Sequence, residues 1–184
     1  MKYIVTAPKT IDVTIDLPSS KSICNRALVM HALAGGGCLP DNLSDCDDTY
    51  VMVKALCNNP DVIDIKAAGT AMRFLTAYYS VGSGEHLITG TERMRHRPIG
   101  LLVDALRYLG AEIEYADEDG FPPLLVRGKK LEGGPLEMPG NVSSQYISAL
   151  LMIGPALSKG IELHLKGNIV SRPYIDLTLW MMRE

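Results

Sequence analysis

The sequence predicts an α/β protein built on a repeat in which helix, strand, helix and strand follow one another. Three observations carry this. Apolar residues recur at helical spacing in some segments and alternate in others. Hydroxyl residues and prolines stand where the helical segments begin. Gly84 to Gly90, followed by Arg97-Pro98-Ile99, Leu102 and Asp104, matches Gly160 to Gly167, followed by Arg172-Pro173-Tyr174-Ile175-Asp176, with the two Arg-Pro pairs 75 residues apart.

Taken in order, Tyr3 to Leu17 alternates Ile4, Thr6, Ile11, Val13, Ile15 and Leu17, predicting one or two short strands broken at Pro8. Ser19-Ser20 opens a helix from Lys21 to Ala34, closed by Gly35-Gly36-Gly37. Asp45 to Asp48 opens a second helix through Cys57, its acidic first turn suiting the helix dipole, and Asn58-Asn59-Pro60 stops it. Val62, Ile63 and Ile65 form a strand, Ala71 to Ser80 a helix and Glu85 to Thr89 a strand. Arg97-Pro98 begins a helix ending at Gly110, with Pro98 in its first turn. Ala111 to Tyr115 and Leu124 to Val126 pair as strands, and Leu131 to Pro139 reads as irregular. Ser143-Ser144 caps a helix to about Leu157, Ile161 to Leu165 is a strand, and Arg172-Pro173 starts the last helix.

At about 100 to 200 residues per domain, 184 residues predict one domain or one and a fraction. With 47% hydrophobic and 21% charged residues the composition is globular, which excludes a disordered tail or a collagen-like rod. The longest apolar stretch, Ile147 to Leu157, is eleven residues long and holds Ser148, Gly154 and Pro155, too short to span a bilayer. Met1 to Pro8 lacks the apolar core of a secretory signal, so a cytoplasmic location is expected. Cys24, Cys38, Cys46 and Cys57 show no C-x-x-C spacing and read as reduced, buried or half-buried thiols. The net charge of −3 gives no general attraction for nucleic acid or an anionic membrane, so any anionic ligand must be captured locally.

Four segments suit such capture. Ser19-Ser20-Lys21-Ser22 with Asn25 and Arg26 places hydroxyls, a lysine and an arginine at a helix start, where unpaired N–H groups and the dipole favour anions. A plain serine cap with solvent-facing Lys and Arg would use the same residues. Gly69-Thr70-Ala71-Met72-Arg73 repeats the logic, with a glycine that lets a ligand approach the backbone. Arg93 to Pro98 sets three arginines before a helix in an acidic protein, and the pattern recurs as Ser171-Arg172-Pro173-Tyr174. Ser143-Ser144-Gln145 is a further hydroxyl-rich helix start, equally readable as a cap. His86 and His164 fall on matching repeat strands and suit structural roles. No spacing of His, Cys or carboxylates suggests a metal site, and no Walker loop, dinucleotide fingerprint or nucleophile elbow occurs.

Taken together, Leu17 to Leu28, Ala68-Gly69-Thr70-Ala71-Met72-Arg73, Arg97-Pro98-Ile99, Val142-Ser143-Ser144-Gln145 and Val170 to Asp176 resemble the enolpyruvyl transferases, specifically the 5-enolpyruvylshikimate-3-phosphate synthase family. The sister family acting on UDP-N-acetylglucosamine shares the fold but not the Ser-Ser-Gln and Ser-Arg-Pro-Tyr motifs. The resemblance implies an inside-out α/β barrel of two lobes, each of three βαβαββ units, closing around the substrates. It implies transfer of the enolpyruvyl group of phosphoenolpyruvate to the 5-hydroxyl of shikimate 3-phosphate through a tetrahedral intermediate, releasing phosphate, as a step of aromatic amino acid biosynthesis. No metal or organic cofactor and no nucleic acid or membrane partner is implied, and the full-length protein is expected to be a monomer. Carried over by motif, Lys21 is the catalytic residue and faces phosphoenolpyruvate with Gly69 and Arg97. Ser22, Arg26, Ser143, Ser144, Gln145, Ser171 and Tyr174 hold shikimate 3-phosphate.

Two residues depart from the family pattern: Ala67 stands where Asn is usual and Phe74 where Pro is usual. Loss of the Asn amide is expected to weaken a contact to phosphoenolpyruvate. The repeat also predicts truncation, because thirteen residues beyond Arg172, the span from Arg97 to Gly110, reach one position past Glu184. The resemblance implies that residues 1–18 are strands belonging to a second lobe. Residues 19–184 form an N-terminal substrate-binding lobe of two full units and most of a third, lacking the acid that moves the proton and expected to be inactive alone. A non-catalytic anion-binding module is the rival reading.

Overall fold

The computed structural model describes residues 2–36 and 39–184. Its helices are α1 (Lys21–Leu33), α2 (Asp47–Asn58), α3 (Gly69–Val81), the single turn α4 (Glu92–Arg95), α5 (Gly100–Tyr108), α6 (Ser144–Ile153) and α7 (Arg172–Arg183). Its strands are β1 (Val62–Asp64), β2 (Gly84–Thr89), β3 (Glu112–Tyr115), β4 (Leu124–Gly128), β5 (Gly134–Pro139) and β6 (Ile161–Lys166). A four-stranded sheet runs β1-β2-β4-β3, with β1 and β2 parallel and both β4 pairings antiparallel. Strands β5 and β6 form a separate parallel pair.

The chain order β1-α3-β2-α5-β3-β4 is one complete βαβαββ unit. The second copy shows β5-α6-β6-α7, again with parallel strands flanking a buried helix. Residues 2–61 contribute α1 and α2 but no strand among the described residues. The structure therefore holds one full unit rather than two. Tyr3 to Leu17 does not form the expected strands: it is extended, and Ile4, Val5, Ile11, Val13 and Ile15 are all exposed. Alternation suits a strand only where a neighbouring strand can pair with it, and among the described residues no strand pairs with this segment.

Helix α3 sits at the centre. Eleven of its thirteen residues are buried, and it packs against α1, α2, α6 and β4. Its apolar residues Phe74 and Leu75 are fully enclosed. Two of its buried hydroxyls return to the helix itself, Thr76 to the Met72 carbonyl and Ser80 to the Thr76 carbonyl, both at 2.7 Å, while the Tyr79 hydroxyl donates to the Ala55 carbonyl of α2 at 2.9 Å.

Three expected elements shift. The helix placed at Arg97-Pro98 begins instead at Gly100, after the separate turn α4, and ends at Tyr108. A residue before proline disfavours helical backbone, and the Ile99 N–H donates across to the Gly120 carbonyl (2.9 Å) rather than back along a helix. The stretch thought irregular contains β5, hidden by Gly133, Gly134, Pro135 and Pro139. Its only partner among the described residues is β6, and an edge position tolerates proline. Helix α6 stops at Ile153 and continues as a 3₁₀ turn over Gly154–Ala156, because Pro155 cannot donate to the helix ladder.

Gly35 takes the left-handed conformation after α1 (φ 71°), as a terminating glycine should, while Gly37 and Cys38 lie outside the described residues. Cys24 is buried and Cys46 half-buried, but Cys57 is exposed; all three are free thiols. The two histidines on matching strands face opposite ways: His86 is buried with Nδ1 2.9 Å from the Pro60 carbonyl, and His164 lies outside, 3.0 Å from Glu162.

Candidate functional site

Four helices begin around one cavity of about 290 Å³, lined by Lys21, Ser22 and Arg26 of α1, Thr70 of α3, Ser144 and Gln145 of α6, and Tyr174 of α7. Each helix start directs unpaired N–H groups and the positive end of its dipole toward the shared space. The sequence explains why they start there. Ser143 caps α6 by accepting from the Gln145 N–H (3.3 Å), Gly69-Thr70 follows an extended Ala68, and Ser171 turns left-handed (φ 53°) ahead of Pro173 in the first turn of α7.

Arg26 is the charge at the back of this cavity. It is 97% buried, since only 3% of its surface is exposed. Its Nε donates to Thr178 Oγ1 (2.7 Å), Nη1 to the Ser22 carbonyl (2.8 Å) and Nη2 to Ser148 Oγ (3.0 Å). The guanidinium also lies over the rings of Phe74 (5.4 Å) and Tyr174 (5.8 Å). Burial holds its pKa below the ordinary arginine value, partly offset by Tyr174. All these partners are neutral, and among the described residues no carboxylate forms a salt bridge with it. A buried cation in a neutral cage is electrostatically incomplete, and an anion entering the cavity would complete it.

Lys21 lines the same cavity, with Nζ 3.5 Å from Asp48 Oδ1 in the first turn of α2. The sequence groups Lys21 with Gly69 and Arg97, but those two meet next door. Arg97 lines a second cavity of about 410 Å³ with Ala67, Arg93 and Met94. A Cβ on Gly69 would collide with Arg97 Nη1, so only glycine lets that guanidinium lie against the start of α3. The cavities share a wall: Thr70 faces the first, and its neighbour Gly69 abuts the arginine of the second. Ala67, one of the two departures, lies in the second lining. Phe74, the other, is the ring beneath Arg26.

Of the ten site residues named from sequence, six line the first cavity: Lys21, Ser22, Arg26, Ser144, Gln145 and Tyr174. Ser143 and Ser171 sit just outside it as exposed cap residues. Gly69 and Arg97 form the second group. Arg172, suspected from the repeat, is exposed and pairs with Asp176 of its own helix at 3.6 Å. The residue missing from that set is Thr70, whose Oγ1 accepts from Gln145 Nε2 at 3.1 Å. Its helix-start position was visible, but its partner was not. Chemically, the arrangement can hold a polyhydroxylated anion in the first cavity and a small phosphate or carboxylate in the second, side by side.

The family profile for EPSP synthase (3-phosphoshikimate 1-carboxyvinyltransferase) matches residues 5–59 and 56–184. The 3-phosphoshikimate 1-carboxyvinyltransferase of Bacteroides fragilis is 62% identical over 184 residues, covering 100% of this chain and 45% of that protein. The protein of the same name from Shewanella pealeana is 42% identical over 202 residues, covering 96% of this chain and 47% of its own length. The chain thus spans under half the length of the curated relatives it matches. The structure of EPSP synthase from Acinetobacter baumannii superposes with a TM-score of 0.65 at 20% identity, over 78% of this chain and 38% of that one, a likeness of fold. No helix among the described residues is long and apolar enough to cross a membrane. This chain belongs to the EPSP synthase (3-phosphoshikimate 1-carboxyvinyltransferase) family.

Proposed function

We propose that this chain supplies the shikimate 3-phosphate side of an active site that moves the enolpyruvyl group of phosphoenolpyruvate to the 5-hydroxyl of shikimate 3-phosphate, releasing phosphate. The observation that carries the reading is the first cavity, where four helix starts and five other motif residues gather around buried Arg26, which has no acidic partner among the described residues. Ser22, Ser144, Gln145 and Tyr174 present hydroxyl and amide groups to the sugar-like ring and its charged groups, and Arg26 supplies the opposing charge. Ser143 and Ser171 contribute from the rim. Lys21, on the wall of the first cavity, supplies a second positive charge, and Gly69 with Arg97 receives phosphoenolpyruvate. Setting two anions side by side costs repulsion that Lys21, Arg26 and Arg97 offset, and it aligns the reacting atoms.

Residues 19–184 are the substrate-binding lobe in this reading, and residues 1–18 belong with strands of a second lobe. A cytoplasmic location and a monomeric full-length enzyme go with it. The test is calorimetry of shikimate 3-phosphate with the 184-residue polypeptide and its Ser144→Ala and Gln145→Ala variants. Saturable binding that weakens in both variants, with no phosphate released from the two substrates together, supports the reading. Equal affinity in wild type and variants, or steady phosphate release by this polypeptide alone, contradicts it.

A further inference from the structure

Bonded to the backbone on either side of Arg97 is a buried arginine that the motif comparison leaves without a role. Arg73 lies one turn into α3 and is only 5% exposed. Its fork spans two backbone carbonyls, Nη1 donating to Gly69 (3.0 Å) and Nη2 to Pro98 (3.2 Å). Tyr146 of α6 donates its hydroxyl to the same Pro98 carbonyl at 2.8 Å, and its ring lies 5.8 Å from the Arg73 guanidinium. Gly69 and Pro98 are the residues between which Arg97 is held: Pro98 follows it in the chain, and Gly69 is the surface its guanidinium rests on.

We infer that Arg73 and Tyr146 are positioning residues for Arg97: by pinning the Pro98 carbonyl from two sides and tying it to Gly69, they fix the Arg97 guanidinium against the start of α3, where it can take a phosphate group. The inference rests on the proposed reading of the Arg97 cavity and adds how that arginine is placed. Three features support it. The Pro98 carbonyl accepts from two side chains on different helices, which fills both of its lone-pair directions and fixes its position. The segment Arg97-Pro98-Ile99 belongs to no helix or strand, so its position has to be set by such contacts. Burial lowers the Arg73 pKa, Tyr146 partly offsets this, and the charge of Arg97 lowers it a little further. Neither Arg73 nor Arg97 forms a salt bridge to a carboxylate among the described residues, which suits a site that takes an anion.

The test uses the 184-residue chain, with phosphoenolpyruvate and inorganic phosphate as probes and shikimate 3-phosphate as the control ligand. Tyr146→Phe removes one hydroxyl while keeping the packed ring, and Arg73→Lys keeps the charge but loses the fork. Each is expected to weaken binding of both probes about threefold to tenfold, the effect of one lost hydrogen bond, and to shift and broaden the Arg97 Nε–Hε resonance. Affinity for shikimate 3-phosphate should stay within about twofold, since loss of a general structural brace would lower both sites together. Unchanged probe binding in both variants, with Arg97→Ala weakening it, overturns the positioning role while leaving the cavity's reading in place. A parallel loss of shikimate 3-phosphate affinity overturns it too, by showing a structural effect. If Arg97→Ala itself leaves probe binding unchanged, the reading of the cavity fails and the inference fails with it.

Discussion

Gln145 donates to Thr70 Oγ1 across 3.1 Å, and the two residues are 75 positions apart, the same interval that separates the Arg97-Pro98 and Arg172-Pro173 pairs. The contact therefore joins equivalent positions of two successive repeats, at the starts of α3 and α6. The repeat builds the cavity: each copy delivers a helix N-terminus to the same place, and the two are tied together by their own polar side chains.

Removing that tie should loosen the cavity without unfolding the lobe. Thr70→Val keeps the shape but leaves the Gln145 amide without its acceptor. Affinity for shikimate 3-phosphate is expected to fall about threefold to tenfold, as for one hydrogen bond, with the melting temperature shifted by only a few degrees. Titration calorimetry alongside thermal unfolding checks both parts, and unchanged affinity would remove Thr70 from the site.

The cage around Arg26 makes a stability prediction. Thr178 accepts from Arg26 Nε and lies within 2.8 Å of Ser148 Oγ, which takes another guanidinium hydrogen. Thr178→Val leaves a buried charge short of one acceptor and should destabilise the chain by about 1–3 kcal/mol. In urea the wild type and variant midpoints give the difference. Added shikimate 3-phosphate should narrow it if the anion compensates the same charge.

Asp64 sets a pH dependence near the second cavity. Its carboxylate accepts from the Lys66 N–H at 2.9 Å and pairs with the Lys66 side chain, in the turn where Lys66 adopts a left-handed backbone (φ 55°) ahead of Ala67. The hydrogen bond from Lys66 lowers the Asp64 pKa below the ordinary carboxylate value, against a smaller opposing effect of burial. A carboxyl group with a depressed folded-state pKa stabilises above its unfolded value, and this contribution is lost as pH falls through the folded value. Amide exchange at Lys66 should therefore quicken, relative to its intrinsic rate, in acid below the ordinary aspartate range. Asp64→Asn should abolish that acid step; an unchanged step would assign it to another group.

Ala67 lines the Arg97 cavity where the family usually carries Asn. Restoring the amide in Ala67→Asn adds a donor facing the space next to Arg97 and is expected to tighten phosphoenolpyruvate binding several-fold, with shikimate 3-phosphate affinity unaffected. Weaker binding instead would show that the cavity is already shaped around the smaller residue.

How legible these features were depends on the range of the interaction behind them. Helix starts at Lys21, Gly69, Ser144 and Arg172 could be read because serine, threonine, glycine and proline act within one turn. Strand β5 could not: two glycines and two prolines read as a loop, and only its pairing with β6, some 27 residues later, makes it a strand. The Arg97-Pro98 segment looked like a helix start because proline suits a first turn. Here the Ile99 N–H and the Pro98 carbonyl are claimed by Gly120, Arg73 and Tyr146. Arg26 could be picked out as a site residue, but its partners Ser148 and Thr178 lie 122 and 152 residues away, beyond any local pattern. Tyr3 to Leu17 shows the converse, a strand-like pattern that no strand among the described residues pairs with.

The central claim is that the meeting point of four helix starts holds shikimate 3-phosphate, and the most direct measurement is a titration of that ligand into isotope-labelled chain followed by NMR. The account predicts saturable shifts concentrated at Ser22, Thr70, Ser144, Gln145 and Tyr174, and at the Arg26 Nε–Hε resonance, reduced in Ser144→Ala. No saturable shift, or shifts centred on residues away from this cavity, would contradict it.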